Sequence, residues 1–575
     1  MLHPAPVLVA ALLSIAPGRT QAAPDLLRFV PDDAVAVVRT VGLASWAEQF
    51  GKTNVGRAFA AATVQKAGRR LWTTAMAEPG FASATVSRLE ALAAALAGHA
   101  GEIVVAATAD LRDLADRPPK FAVMLAMAGG DDELDALEDA TRQALGAGGD
   151  ERRIEGESFV VHRLADYEIT APVRRHGASF VFVGAELTLA IPEFWRERQE
   201  AHAAASELRR GPFVARFELP FLLQLKDALL PVLEQREGVP PAVVEAIVDL
   251  IGLRSLGTLT YRIAADDADV VQEAVLELRA GERGLLGALL PPRTGAAGIL
   301  ESLPAAARNW SAWRFDTGQV LDLYRRTFEV LRDVLPMTRE QVEAKFTEFA
   351  KVRLVEDVLA HVGDEALRLE DFAPPSATGE PTLDELASHG NRGCLVLKLR
   401  DATAFAASLE KALRARGLHA GRKTEDYGDA RIHRFKPLGF SLEYSIAGDV
   451  LIVGIGGGET VTQYVRSILD RVAERAKGNP RAELRPEVAA RLRALPADWT
   501  MLDIGSMEEL LDGLVGTFDS LTSILAEAGS EAEPWLPATI EFSRCLRAAV
   551  KANGIDVTAT STTHSQGRIV MRSAW

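Results

Sequence analysis

The feature that most constrains the fold of this chain is that it repeats itself. "LAGHAGE", Leu96 to Glu102, has a counterpart in "LAHVGDE", Leu359 to Glu365. "KFAVMLAMAGGDDELDALEDA" presents a strand and then a helix carrying Leu137, and "GCLVLKLRDATAFAASLEKA" does the same with Leu409. "VHRL", Val161 to Leu164, matches "IHRF", Ile432 to Phe435, and "VGAELTLAIPEFWRERQEA" matches "AGDVLIVGIGGGETVTQYV" as a strand running into a helix. The pairs keep one order at offsets between about 260 and 275 residues, a spread that loop insertions accommodate at small entropic cost. A shorter unit of proline, alternating strand and amphipathic helix starts at Val30, Gly211, Leu303 and Leu495, two in each half. The pattern predicts a tandem duplication, with lobe one over residues 23–300 and lobe two over 301–575.

Alternation puts one strand face on a core, and apolar residues three or four apart let the following helix cover it. "ESFVVHRLADYEITAPVRRHGASFVFVGAELTLAI" holds strands separated only by short turns, so neighbours there pair antiparallel. The expected class is α+β: a largely antiparallel sheet in each lobe, covered by amphipathic helices. The stretch at about 372–392, rich in Pro, Gly and Ser, reads as an exposed loop inserted in lobe two.

Residues 1–22 carry an apolar run from Val7 to Ile15, a break at Pro17 and small residues at Thr20 and Ala22, the layout of a secretory signal cleaved after Ala22. A retained anchor is the alternative, though the run is short for a bilayer. The expected location is periplasmic or secreted, with no transmembrane segment after cleavage. "LLGALLPPRTGAAGIL" looks apolar but is cut by Pro291, Pro292 and Arg293. A formal net charge of -15 argues against nucleic acid, whose phosphates are met by clustered Lys and Arg. It favours cationic or neutral partners in the envelope, whether protein or small molecule. Two cysteines, Cys394 and Cys545, read as small core residues, with a disulfide between them left open.

The stretch "LIVGIGGGET" raises the question of a phosphate cradle. Its spacing misses the dinucleotide pattern, Glu459 stands where the third glycine belongs, and the paired stretch in lobe one reads "AIPEFW", with Pro192 where the helix is expected to start. No nucleotide site, cofactor or metal site is expected. No G-x-S-x-G, H-E-x-x-H or paired C-x-x-C occurs. The polar residues kept in both copies are His162, Arg163, His433 and Arg434, placed by alternation with His and Arg on opposite strand faces. They are the candidate ligand contacts, and a half-exposed structural role is the competing reading. His99 and His361 precede helix-ending glycines, where capping explains them. Asp131, Asp132 and Glu133 stand at a helix start, where dipole compensation does.

The opening "LLRFVPDDAVAVVRTVGLASWAEQFGKTNVGRAF", the "VGDEALRL" turn and the element around "LIVGIGGGETV" resemble a group of uncharacterised exported bacterial proteins known only as a domain of unknown function. The resemblance implies an envelope or secreted location and brings no catalytic residue with it. Two functions stand: a non-enzymatic binding or scaffold protein, and, as the alternative, a hydrolase with a site assembled from scattered residues.

Overall fold

The computed structural model describes residues 25–574 apart from 77–94, 97–98, 112–119, 147, 165–166, 267–268, 281–283, 295–296, 333–334, 371–392, 436–441, 457–458, 480–483, 509–510, 512–514, 516–534, 554, 556 and 566. The expected signal and the expected loop at 372–392 lie outside the described residues.

The first half supplies β1 (Ala36–Thr40), β2 (Ile103–Asp110), β3 (Lys120–Ala128), β4 (Asp150–Ile154), β5 (Glu157–Leu164), β6 (Tyr167–Thr170), β7 (Val173–Arg175), β8 (Ala178–Gly184), β9 (Phe213–Glu218), β10 (Leu256–Asp266) and β11 (Asp269–Leu278). The second supplies β12 (Trp310–Arg314), β13 (Val362–Glu370), β14 (Gly393–Leu399), β15 (Lys423–Tyr427), β16 (Ala430–Phe435), β17 (Leu442–Ala447), β18 (Val450–Ile455), β19 (Trp499–Ser506), β20 (Val557–Ser565) and β21 (Arg568–Ala574). The helices that position the site are α1 (Leu43–Lys52), α2 (Asn54–Ala60), α3 (Ala62–Met76), α4 (Asp131–Leu145), α5 (Leu187–Trp195), α6 (Thr317–Val330), α7 (Ala402–Ala415), α8 (Glu459–Ala476) and α9 (Trp535–Ala552).

Every strand pairing is antiparallel, and the class is α+β. From the middle outward, the first half runs β11, β10, β9, β1, β2, β3, β8, β6, β5, β4, with β7 continuing the β6 lane beside β8. The second runs β21, β20, β19, β12, β13, β14, β18, β17, β16, β15. The same order of chain elements thus occurs twice, and β11 pairs with β21 to join the halves into one sheet. Among the described residues β4 and β15 have a partner on one side only, so the sheet is open. Both edges are dense in charge, "DERRI" and "KTEDY", which discourages edge-to-edge pairing.

Local sequence explains the turns. Glu155–Gly156 and His176–Gly177 join β4 to β5 and β7 to β8 with positive φ at both positions. That geometry matches the twist of antiparallel strands, and a glycine second makes it cheap.

One sheet face is covered by α5 in the first half and α8 in the second. On α5, Leu187, Ile191 and Phe194 recur at helical spacing, fully buried with Phe159, Phe180 and Phe182. On α8 the stripe is Val461, Val465, Ile468, Leu469 and Val472. Burial of each such side chain is worth about 1.5–3 kcal/mol. The opposite face carries α4 and α7, through Leu134 and Leu137 in one half and Phe405 and Leu413 in the other. At the join α9, from the second half, packs with α2 and α3 from the first over Val270, and Arg70 meets Glu541 at 2.6 Å. The chain's last described strand, β21, is therefore central in the sheet.

Candidate functional site

The repeated glycine comes first. Gly184 and Gly454 stand in equivalent rows, opposite Ala122 and Cys394 on one side and Glu168 and Glu443 on the other. A Cβ on Gly454 would lie 2.7 Å from Cγ1 of Val461 and 3.1 Å from Cγ2 of Val465, so the glycine lets α8 lie close on its strand. The expectation that the first copy dispenses with glycine here, and that Pro192 starts its helix, is corrected. The matching residue is Gly184, and Pro192 lies inside α5, which begins at Leu187. The mismatch arises because the strand-to-helix turn is shorter in the first copy.

A carboxylate already faces each helix start. Oε2 of Glu168 accepts from the Leu187 amide at 3.3 Å, and Oε1 of Glu443 accepts from the Thr462 hydroxyl at 2.8 Å. Glu443 is 4 % exposed and is also bonded by Arg434 at 2.9 Å. The positive end of α8, where a phosphate would bind, is compensated from within.

The same rows place the predicted residues. Arg163 lies opposite Glu168 and Arg434 opposite Glu443, while His162 pairs with Ile169 and His433 with Tyr444. Arg434 is spent on Glu443 and on Glu425 at 2.6 Å, whereas Arg163 is exposed. His433 meets the Thr424 hydroxyl at 3.0 Å and its ring lies 4.8 Å from that of Tyr444. Burial, then the neighbouring Arg422, lowers its pKa. β5 and β16 are second from opposite ends of the sheet, so the structure does not bring the two pairs together. His99 is 1 % exposed and packs against Gly129 and Glu133 at the start of α4. Cys394 and Cys545 are free thiols in different core clusters.

Convergent polar chemistry is found elsewhere, at the end of the second half's sheet beside the connection between halves. A cavity of about 440 Å³ is lined by Arg293 and Gly298 of the connection, Arg314 closing β12, Gly363, Asp364 and Glu365 of β13, and Lys398, Leu399 and Arg400 at the end of β14. β13 makes room for it with a bulge: Val362 pairs with Leu399 but Ala366 with Leu397, so two extra residues bow out of the strand. Arg314, its side chain 7 % exposed, donates to the carbonyls of Trp499 at 3.2 Å and Thr294 at 3.0 Å, and lies 4.0 Å from the carboxylate of Glu365. Burial lowers its pKa against the pull of Glu365. Arg293 donates to the Phe315 carbonyl at 2.6 Å.

Both lining carboxylates have structural duties. Glu365 accepts from the amides of Gly298 and Ile299 at 3.3 and 2.8 Å. Asp364 accepts from Thr317, which starts α6, at 2.7 Å through the hydroxyl, and from Arg400 at 2.7 Å. Burial opposes its ionised form, but the hydrogen bonds from Thr317 and Arg400 prevail and hold its pKa below the usual range. Lys398 pairs with Asp449 at 2.5 Å. A second cavity of about 420 Å³ shares Arg293 and Arg314 and adds Thr294, Asp498, His564 and Ser565. Arg293 also lies 3.6 Å from Asp364, so each of the four cations of the first cavity has a carboxylate within 4.0 Å, and cations outnumber carboxylates in its wall by four to two.

Sequence reasoning missed this site because its residues span 292–400 and 498–565 and match no spacing rule. One signal was present, though shifted. The repeated motif pairs Glu102 with Glu365, 263 residues apart, whereas the sheet rows put Ile103 level with Val362, 259 apart, and Val104 level with Glu365, 261 apart; the motif is out of register with the strands, and the step from 259 to 261 is the bulge. Among the described residues no group of three His, Cys, Asp or Glu side chains could hold a metal, and no helix is long and apolar enough to cross a membrane.

No protein-family model matches the chain, and no curated protein matches it. Among solved structures, "Structure of crystal form III of TP0453" is similar at 9% identity over 46% of this chain and 84% of that one, with a TM-score of 0.23. Crystal form I of TP0453 gives 9% identity, 45% and 81% coverage and a TM-score of 0.21. Likeness at that level carries no argument about function.

Proposed function

We propose that this is an exported, non-enzymatic binding protein made of two like lobes, with its ligand held in the second. One observation carries the reading: four cationic side chains, Arg293, Arg314, Lys398 and Arg400, line a single 440 Å³ cavity in a chain of net charge -15. That volume is within the range of small-molecule sites. The overall acidity pointed to cationic or neutral partners, but the sign of a pocket is set by what lines it. Groups that donate hydrogen bonds and are anchored by carbonyls hold a ligand well. Export is supported by the layout of residues 1–22.

A specific observation keeps the hydrolase reading alive. Asp503 on β19 stands opposite Ser311, and a pocket of about 190 Å³ joins it to Glu370. Burial raises the Asp503 pKa, against a hydrogen bond from Ser311, and a raised pKa brings a carboxyl toward the range in which general acids work.

The test is to recover the protein from the envelope fraction of its own cells, sequence its N-terminus, and identify by mass spectrometry what it releases on denaturation. A chain starting at Ala23 that releases one small molecule in near-equal amount supports the reading. Turnover of an ester, peptide or glycoside substrate that Asp503→Asn abolishes overturns it in favour of the hydrolase.

A further inference from the structure

The two copies serve as each other's control. A feature that both keep is a requirement of the fold; a feature that one copy folds without needs another reason. At the cavity end of the sheet the copies part company. In the first half β2 runs beside β3 without a register shift, from Ile103 opposite Met127 to Asp110 opposite Lys120. The rows fixed by Gly184 and Gly454 put Ala126 level with Lys398 and Ala128 level with Arg400. Val104, Ala126 and Ala128 are fully buried, and the one cation level with the second copy's set, Arg39 in the row of Arg314, is held by Glu102 at 2.5 Å and by the Leu208 carbonyl at 3.2 Å. The second copy has the β13 bulge, Glu365 level with Val104, and two cations level with the alanines. The alanines are fully buried, whereas the side chains of Lys398 and Arg400 are 27 % and 46 % exposed, so the second copy is open to solvent where the first is closed. Lys398 pairs with Asp449 and Arg400 with Asp364, and the first copy folds without either pair, since Ser179 stands level with Asp449 and Asp364 lies in the bulge that β2 lacks.

We infer that the second lobe has been opened at this end into a site for a small organic or inorganic polyanion, and that Lys398 and Arg400 select it by charge. The inference rests on the cavity being a binding site and adds the class of ligand. Arg314 is matched by Arg39 and serves the fold in both copies; beside it Arg293, shared by the two cavities, holds one anionic group, and Lys398 and Arg400 hold a second. Arginine suits carboxylate and phosphate alike because its planar fork donates to two oxygens at once. Ligands with two or more carboxylates or phosphates fit the arrangement; monoanions engage half of it.

Citrate, pyrophosphate, acetate and glycerol are titrated calorimetrically into the full mature chain at low salt. Citrate or pyrophosphate should bind at least tenfold more tightly than acetate, glycerol should not bind, and the affinity should fall as salt rises. Which of the two binds more tightly distinguishes a carboxylate from a phosphate ligand. Lys398→Ala with Arg400→Ala restores the residues of the first copy and should weaken polyanion binding at least tenfold. Lys66→Ala with Arg69→Ala, which removes the same charge from the exposed face of α3, should leave it within twofold. If the double variant is unstable in urea, Arg400→Ala alone serves, since Lys398 then keeps its pair with Asp449 and Asp364 keeps its bond from Thr317. Absence of polyanion binding at 10 mM, an effect of Lys66 and Arg69 equal to that of Lys398 and Arg400, or tight binding of glycerol overturns the inference. A released small molecule that is neutral would overturn this ligand class while leaving the binding function standing.

Discussion

Replacing Gly454 by alanine tests whether α8 lies on its strand as described. The new Cβ would stand 2.7 Å from Val461 Cγ1 and 3.1 Å from Val465 Cγ2, where ordinary contacts begin near 3.4 Å. Both valines are fully buried, and β-branched side chains on a helix have essentially one χ1 well, so neither can swing aside. The helix must move by a few tenths of an ångström or more, and overpacking of this kind costs about 1–3 kcal/mol. The equivalent Gly184→Ala places Cβ 3.4 Å from Leu187 Cδ2, the far end of a flexible side chain. There the main effect is on the unfolded chain, and stability should hold or rise by about 0.4–1 kcal/mol. Urea unfolding of the full chain reads both: the midpoint should fall for Gly454→Ala and not for Gly184→Ala, with the slope unchanged. Adding Val461→Ala removes the closer of the two clashes, so the double variant should lose less than the two single losses combined, with a coupling of about 0.5–3 kcal/mol. Equal midpoints for the two glycine variants, or strict additivity with Val461→Ala, would refute the packing argument.

His99 is buried with its pKa lowered from 6.5, chiefly by burial and against Glu133. Its contribution to stability is thus full above about pH 6.5 and lost as pH falls from there toward the lowered folded value. His99→Gln should flatten the fall in stability between pH 7 and 5, leaving the shares due to His202 and His433, whose pKa values burial also lowers; an unchanged slope would place the titration elsewhere. Burial pushes the Cys394 thiol far up, so in the folded chain without reductant Cys394 should resist thiol reagents and two thiols should appear on denaturation; none appearing would mean a disulfide. With Glu443 at the α8 start, millimolar ATP or NAD should leave the melting temperature unmoved, since a ligand at a hundred times its Kd adds about 2.7 kcal/mol; a rise abolished by Gly456→Val would contradict this.

Much of the frame was legible because its causes are local. Alternation marked β5 and β16, helical spacing marked α5 and α8, and the His-Arg pairs lined up in the sheet as they do in the sequence. Gly454 stood out too, but its reason did not, because the side chains that forbid a Cβ there come from the next helix. Glu168 and Glu443 passed as ordinary polar positions of alternating strands; that each faces a helix start depends on how the helix folds back. The cavity was least legible. Arg314 ends one strand, Lys398 and Arg400 end another, and Arg293 lies in a connection that the sequence marked only as too interrupted to span a membrane. Pairing and a two-residue bulge bring them together, and these depend on the whole sheet.

The central claim is that one fold is present twice and opened once. The stoichiometry of polyanion binding to the intact mature chain, by calorimetry at protein concentrations well above Kd, tests it most directly. One site per chain is the result this account predicts; two equivalent sites, or none, would contradict it.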